Sequence, residues 1–328
     1  MIIDIHSHFF PQELIDQARN GKAVDGLSIF NKGNEEFVQH RQGARYPLAR
    51  EFYDRDVKLE RMSALDIDVS ILSAAPPLFM YWLDKNEGSE FCAWMNDRLA
   101  EFIQPSAGKL FGLAAVPLQD PDSAIRELRR AILELKFSGV QIGTSIESIP
   151  LDDHIFNPFF EEASQLGIPL LLHPFAIGKR ERMEEFHLNN LVGNPLDTEL
   201  AAARMIFSGF LDRFPDLKII LVHGGRFLPY QIGRFNHTYS SLPEKERPAH
   251  PPEVYLQRFY YDTVLFEHEP LKFLCKKAGP EQIMVGTDSP FAAQDINFKQ
   301  NVESLDIAES EKELIFSGNA CKIFDLRF

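Results

Sequence analysis

The sequence predicts an α/β fold, a (β/α)8 TIM barrel with an insertion after its first strand. Eight short apolar segments recur along the 328-residue chain, and helix-length segments separate them. Segments that are apolar on both faces are typical of buried parallel strands. No glycine-rich phosphate loop follows the first strand, which disfavours the alternative of a doubly wound open sheet.

The predicted strands and helices alternate along the chain, as a barrel requires. The candidate strands are residues 2–6, 69–75, 110–117, 139–143, 169–174, 218–224, 259–264 and 282–288. The clearest candidate helices are 121–136, 157–167, 198–214 and 269–279. Residues 10–53 lack clear periodicity, and we expect them to form an insertion over the carboxyl-terminal face of one barrel domain, 1–328.

Composition excludes several classes of protein. The net charge of −14 argues against nucleic acid as a partner, because the chain would repel phosphate backbones. Neither a signal peptide nor an apolar run of membrane-spanning length is evident, so no membrane association is expected. The three cysteines, Cys92, Cys275 and Cys321, are widely spaced and predict no disulfide framework. A reduced, cytoplasmic location fits this pattern best.

Metal-binding and acid/base residue types stand where several predicted strands end. His6 and His8 are two residues apart, so in an extended strand they point to the same side. His173, His223 and Asp288 end the fifth, sixth and eighth predicted strands. Because the carboxyl ends of barrel strands converge on one site, these five side chains predict a metal-dependent active site rather than five separate buried polar residues.

Three further residues admit a structural as well as a functional interpretation. Asp4 precedes His6 by two residues and could orient a metal ligand, and a purely structural role is the alternative. Phe9 could line the pocket or pack in the core. Phe291 presents the same two alternatives.

Four motifs together resemble the amidohydrolase superfamily, and within it the decarboxylase branch. They are IDIHSHFFP (3–11), LLLHP (170–174), LVHGG (221–225) and GTDSPF (286–291), and the likeness extends over nearly the whole chain. Within that branch the sequence is similar to the group of 2-amino-3-carboxymuconate-6-semialdehyde decarboxylases.

The resemblance implies one zinc ion held by His6, His8, His173 and Asp288, with a water completing the coordination. His223 would hold or deprotonate that water, and Asp288 would also carry protons in catalysis. The fourth predicted strand, GVQIG (139–143), has no lysine to bridge two metals, which argues for a single ion. Manganese and cobalt accept the same ligands, so they remain alternatives.

Substrate binding is also inferred from the resemblance. Arg234 aligns with a family arginine that enters the active site of the neighbouring subunit, which implies a homodimer. Arg45 lies near the family's other substrate arginine, with Arg50 as the alternative. Where the family has aromatic pocket residues, this chain has Asn190 and Phe175, so the pocket wall differs.

These features predict a non-oxidative decarboxylase that removes CO2 from a small unsaturated or aromatic carboxylic acid. Substrates resembling 2-amino-3-carboxymuconate semialdehyde or a hydroxybenzoate would both be compatible with the site. A hydrolase of a lactone or amide, or a hydratase, could use the same residues. A non-catalytic metal-binding barrel is a further alternative, but the presence of His223 argues against it.

Overall fold

The predicted barrel is present in the computed structural model. The model describes residues 1–22, 26–40, 45–175, 182–183 and 185–328. Within these ranges eight parallel strands pair in chain order into a nearly closed barrel: β1 Ile3–Phe9, β2 Val69–Ala74, β3 Leu110–Ala114, β4 Gly139–Gly143, β5 Pro169–His173, β6 Lys218–Leu221, β7 Phe259–Asp262 and β8 Ile283–Met284. Each strand overlaps one predicted segment, so the fold class is confirmed.

The last strand is shorter than the predicted segment 282–288, although its continuation still closes the barrel. The backbone N–H of Ile5 donates to the carbonyl of Val285 at 2.9 Å, and the N–H of Asp288 donates to the carbonyl of His6 at 2.8 Å. Asp288 has a φ of 58°, in the left-handed region that extended strands do not use. Regular strand geometry therefore ends before the predicted metal ligand.

Helices surround the barrel in the order that the sequence predicts. In the described part of the chain they are α1 Gln12–Arg19, α2 Arg55–Ala64, α3 Lys85–Ile103, α4 Pro121–Leu133, α5 Asn157–Gln165, α6 Asn194–Phe207, α7 Phe210–Arg213, α8 Leu228–Ser241, α9 His268–Ala278, α10 Phe298–Glu303, α11 Glu309–Glu313 and α12 Asn319–Phe324. The predicted helix 198–214 is divided into α6 and α7. Gly209 lies at the division with a φ of 69°, which glycine adopts without steric cost.

The insertion after β1 is more regular than its sequence suggests. After α1 it forms a three-stranded antiparallel sheet of Leu27–Lys32, Glu35–His40 and Arg45–Pro47. Tyr46 in this sheet packs against Phe291, which follows β8, with 5.2 Å between the ring centroids. This contact places part of the insertion against the segment that follows β8. That residues 10–53 lie over the carboxyl-terminal face of the barrel stays a prediction.

Apolar packing joins the strands to the helices. A large cluster of buried residues includes members of most barrel strands and helices, and a smaller cluster joins Ile3, Ile71 and Ile220 to Ile323 of α12. Among the helices described, none combines the length and the apolar composition that crossing a membrane would need. The assignment of the chain to a single domain remains a prediction.

Candidate metal centre

Three imidazoles and one carboxylate converge at the carboxyl ends of the strands. His6 and His8 come from β1, His173 is the last residue of β5, and Asp288 follows β8. One potential ligand atom from each of these buried residues lies within 4.8 Å of all the others. The Nε2 atoms of His6 and His8 are 3.1 Å apart, and Oδ1 of Asp288 lies 3.0 Å from Nε2 of His8.

These separations match the edges of a metal coordination shell. Ligand nitrogen atoms about 2.0–2.1 Å from a tetrahedral zinc ion lie about 3.3 Å from one another. Oδ1 of Asp288 is 3.4 Å from Nε2 of His6 and 3.9 Å from Nε2 of His173. The four atoms therefore enclose a space of about the right size for one divalent cation.

Hydrogen bonds on the far side of two rings determine which nitrogen faces this space. Nδ1 of His6 donates to Oδ2 of Asp262 at 2.7 Å, and Nδ1 of His173 donates to the carbonyl of Pro174 at 2.8 Å. Both partners can only accept, so the Nε2 atoms of the neutral rings carry lone pairs. Nε2 of His173 is buried and has no hydrogen-bond partner among the described residues. A cation would satisfy this nitrogen, so the donor set fits a divalent metal.

His8 is oriented through a chain of three hydrogen bonds. Nε2 of Gln141 donates to the carbonyl of Ala74 at 2.7 Å, which fixes the orientation of the amide. Oε1 of Gln141 accepts from the hydroxyl of Ser73 at 2.6 Å, and the Ser73 oxygen lies 3.3 Å from Nδ1 of His8. Because the hydroxyl proton is directed at Gln141, the Ser73 oxygen accepts from Nδ1–H of His8. Nε2 of His8 is then left free to bind metal.

The electrostatics keep most of the ligand set unprotonated. Burial lowers the pKa of the His8 ring to about 3 and also lowers the pKa of His173. Burial opposes the charged form of His6 as well, but Asp288 and Asp262 outweigh it and raise the pKa of that ring. Burial likewise opposes ionisation of Asp288, but the surrounding imidazoles, led by His6, hold its pKa well below the ordinary value.

His223 lies beside the four-residue group rather than within it. Its Nε2 is 3.4 Å from Oδ2 of Asp288, and its Nδ1 is buried without a hydrogen-bond partner in the part of the chain that the structure describes. Burial, followed by the charge of Arg226, holds the pKa of the His223 ring well below its ordinary value, so the ring is neutral near pH 7. Its φ of 57° is uncommon for a residue other than glycine, and such conformations are concentrated at functional sites.

Asp4 has contacts that fit its structural interpretation. Its carboxylate accepts from the backbone N–H of His6 at 3.1 Å, and from the backbone N–H and hydroxyl of Thr287 at 3.1 and 2.9 Å. Asp4 therefore joins the backbone of β1 to the segment after β8, and these contacts involve no imidazole ring.

A buried lysine also connects the first strand to the segment that follows the last strand. Lys58 of α2 donates to the hydroxyl of Ser7, between the two β1 histidines, and to the hydroxyl of Ser289 at 3.0 Å. Burial lowers the pKa of this ammonium group, whereas the nearby Asp4 carboxylate raises it. Lys58 thus links the segments that carry His8 and Asp288.

Aromatic side chains border the candidate centre. The Phe291 ring lies 5.1 Å from the His8 ring, and the Phe175 ring lies 4.9 Å from the His40 ring of the insertion. A small pocket lies beside Phe175, and its wall includes Phe79, Tyr81 and Trp82. Phe9 packs instead in the core, 4.8 Å from Phe102.

The predicted polar substrate-binding residues lie apart from the ligand group in this single chain. Arg45 is exposed, with its guanidinium carbon 5.5 Å from the centre of the Phe30 ring. Arg50, the alternative, pairs with Asp54. Asn190 and Arg234 are both exposed, the latter on α8. Their roles in substrate binding stay predictions.

The sequence analysis did not identify several residues that lie around the centre. They are Lys58, Ser73, Gln141, Arg226 and Asp262. The usable signal was strongest for Asp262, because a charged residue ending an otherwise apolar strand resembles the pattern that singled out Asp288. For Gln141, the sequence indicated only that the fourth predicted strand has no lysine. The remaining residues had no distinguishing local pattern.

Comparison with known proteins assigns this arrangement to a family. The family model described as amidohydrolase matches residues 3–326. The curated 2-amino-3-carboxymuconate-6-semialdehyde decarboxylase of Dictyostelium discoideum is 35% identical over 277 residues, which cover 84% of this chain and 77% of that protein.

Two solved structures share the fold over nearly the full length. The 5-carboxyvanillate decarboxylase of Sphingomonas paucimobilis superposes with a TM-score of 0.83 at 25% identity, covering 99% of both chains. The dihydroxybenzoic acid decarboxylase of Polaromonas sp. JS666, with bound manganese and the inhibitor 2-nitroresorcinol, gives a TM-score of 0.78 at 26% identity. That match covers 99% of this chain and 97% of the other.

Proposed function

This chain belongs to the amidohydrolase family, and from that premise we propose that it is a divalent-metal-dependent, non-oxidative decarboxylase. Its substrate would be a small unsaturated or aromatic carboxylic acid. The observation that carries the proposal is the convergence of His6, His8, His173 and Asp288 around one cation-sized space, with His223 beside it. The named decarboxylases among its relatives support a carboxy-lyase.

His6, His8, His173 and Asp288 would hold the ion. A bound divalent ion would activate water and stabilise negative charge that develops on the substrate. Zinc is our first choice because three imidazole ligands suit it, and manganese is the main alternative because it is bound in the Polaromonas decarboxylase. Cobalt is compatible with the same donors.

His223 and Asp288 would carry out the proton transfers. The His223 ring is neutral near pH 7, so it can accept a proton and return it to the substrate carbon that loses CO2. Its Nε2 lies 3.4 Å from Oδ2 of Asp288, so a proton taken up by the ring would be stabilised by the adjacent carboxylate. Asp288 thereby has a role in catalysis besides that of a ligand.

The substrate would enter between the insertion and the strand ends. Phe291 and Phe175 would form pocket walls suited to a flat conjugated molecule, since aromatic rings stack on one another. Asn190 would replace an aromatic wall residue of the family. Arg45 and Arg234 would bind the charged groups of the substrate, with Arg234 supplied by the partner subunit of a homodimer.

Two substrate types suit this pocket and the chemistry. One resembles 2-amino-3-carboxymuconate semialdehyde, on which the Dictyostelium relative is named, and the other is a hydroxybenzoate, as for the Polaromonas decarboxylase. In both, conjugation can delocalise the charge left when CO2 departs.

The decisive experiment is a CO2-release assay with metal-loaded protein. We would test a panel of carboxylated muconates and hydroxybenzoates and identify each product. We expect CO2 with replacement of the carboxylate by hydrogen. Acid production without CO2 would instead indicate the lactone or amide hydrolase, and addition of water without CO2 would indicate the hydratase.

Two histidine variants would separate metal binding from proton transfer. His173→Ala should lose both the ion and turnover, whereas His223→Gln should keep one equivalent of metal and lose turnover. His268→Ala is the matched control, because His268 is exposed on α9 and pairs with the adjacent Glu269. Full metal retention by His173→Ala would contradict the ligand assignment.

A further inference from the structure

Arg226 is a cation beside the metal centre to which the proposed chemistry gives no role. It is the third residue after His223, at the end of the short turn that follows β6. Its backbone has φ 55° and ψ −115°, a conformation that side-chain-bearing residues rarely adopt. Local backbone preference therefore does not explain why an arginine occupies this position.

The guanidinium of Arg226 is unpaired. It makes no hydrogen bond or ion pair with any residue in the described ranges, and its Nε is buried without a partner. Burial lowers the pKa of Arg226 to about 10, although Asp288 and Asp262 act in the opposite direction. The side chain is therefore charged at neutral pH while it is half-buried and its Nε is shielded from water, which is unfavourable without an anion.

The neighbouring carboxylates already have other partners. Oδ2 of Asp262 accepts from His6, and its Oδ1 accepts from the backbone N–H groups of Gly224 and Val264 at 2.9 and 3.1 Å. The two oxygen atoms of Asp288 face the imidazoles. Asp262 and Asp288 thus attract Arg226 towards the centre but do not pair with it.

We propose that Arg226 binds the carboxylate of the ligand beside the metal centre. A planar guanidinium can form two parallel hydrogen bonds to a carboxylate, and such charge-assisted bonds are strong where water is excluded. Arg45 and Arg234 are exposed in this chain, whereas Arg226 is half-buried with a fully buried Nε, and its charge acts on His223 and Asp288. The inference rests on the proposed function in that the ligand is a carboxylic acid, but it does not require that CO2 be released.

The test compares two ligands that differ only in the carboxylate. Binding of 2,6-dihydroxybenzoate and of resorcinol to metal-loaded protein would be measured by calorimetry for wild type, Arg226→Gln and Arg226→Lys, each also carrying His223→Gln so that the acid is not turned over. For Arg226→Gln we expect 2,6-dihydroxybenzoate to bind about 10- to 100-fold more weakly, with resorcinol changed less than about twofold. The affinity of Arg226→Lys for 2,6-dihydroxybenzoate should lie between those of wild type and Arg226→Gln. Lysine keeps the positive charge but lacks the planar guanidinium that forms two parallel hydrogen bonds.

Arg129→Gln is the matched control, since Arg129 is exposed on α4 and pairs with Glu162. Metal content and sedimentation would be measured for every variant. Equal weakening of both ligands, or no preference of the wild type for the carboxylate, would overturn the inference. So would an Arg226→Gln protein that binds both ligands normally but sediments differently, because Arg226 would then serve a subunit contact.

The outcomes also separate this inference from the proposed activity. If Arg226→Gln loses its preference for the carboxylate while wild type releases no CO2 from the acid panel, the binding role stands and the decarboxylase proposal fails. If wild type releases CO2 and Arg226→Gln keeps the preference, the decarboxylase stands and the role of Arg226 is wrong.

Discussion

Asp262 accepts a hydrogen bond of 2.7 Å from Nδ1 of His6, and both side chains are completely buried. The bond fixes the ring so that its Nε2 faces the candidate metal site. The carboxylate also raises the pKa of His6, as Asp288 does to a greater extent, so it makes the ring a better electron donor. Asp262 is therefore the strongest candidate for a residue that tunes the centre without touching the ion.

We expect Asp262→Asn to bind metal about 10- to 100-fold more weakly, because partners of this kind typically contribute that much to affinity. Competition with a chelator would measure the dissociation constant. Asp212→Asn is the matched control, since Asp212 accepts from Tyr255 at 2.8 Å outside the centre. Unchanged affinity in Asp262→Asn would show that the hydrogen bond serves folding alone.

Gln141 offers a second test, through the bonds that orient His8. In Gln141→Leu the Ser73 hydroxyl loses its 2.6 Å acceptor and can turn to donate to Nδ1 of His8. The ring would then carry its proton on Nε2, and metal affinity should fall about tenfold or more. Chelator competition would measure the affinity, and nitrogen-15 NMR of the imidazoles would report the tautomer.

Asn96→Leu is the control for Gln141→Leu, because Asn96 is also a buried amide but hydrogen-bonds Ala115 and Glu127 away from the ligands. Both variants should lose stability from an unsatisfied buried group. Only Gln141→Leu should lose metal. A similar loss in both variants would refute a specific role for Gln141.

The proposed homodimer predicts complementation between two inactive variants. If Arg234 acts in the site of the partner subunit, a mixture of Arg234→Ala and His223→Ala chains should form dimers with one intact site. An equal, fully exchanged mixture should recover about a quarter of wild-type activity, since half of the dimers are mixed and each has one competent site of two. Absence of recovery in dimers shown by mass spectrometry to have exchanged would exclude action in trans.

The raised pKa of Glu199 predicts that the stability of the folded protein depends on pH. Burial raises the pKa of this α6 carboxyl to about 7, above its ordinary value of 4.5. One of its oxygen atoms is buried and has no hydrogen-bond partner within the described ranges. The folded state therefore holds the proton more tightly than the unfolded state. Stability associated with this group is present below its unfolded pKa and is lost as pH rises towards 7.

We expect Glu199→Gln to be about 1 kcal/mol more stable than wild type near pH 8, a value reduced for the partial exposure of the group. The gain should shrink near pH 5, and thermal unfolding at both pH values would measure it. Glu161→Gln, at an exposed position of α5, is the control. An equal shift at both pH values would contradict the titration of Glu199.

The fold class and the candidate ligands could be derived from the sequence because both depend on short-range patterns. Apolar segments of strand length show where strands occur, and barrel geometry requires their carboxyl ends to meet. His6, His173 and Asp288 stand at those ends, so their convergence could be expected before any coordinates. The antiparallel sheet of the insertion was missed, because its stability depends on pairing and packing rather than on a regular apolar period.

Only the tertiary structure could assign the partners of these residues. Asp262 lies 256 positions from His6, and Gln141 lies 68 positions from Ser73, distances over which a single sequence carries no pairing information. The unpaired state of Arg226 is also invisible in the sequence, since a lone arginine is usually a solvated surface charge. Local periodicity thus determined which elements form and which end at the centre. The three-dimensional approach of distant strands decided which nitrogen each imidazole presents and which charge is left without a counter-ion.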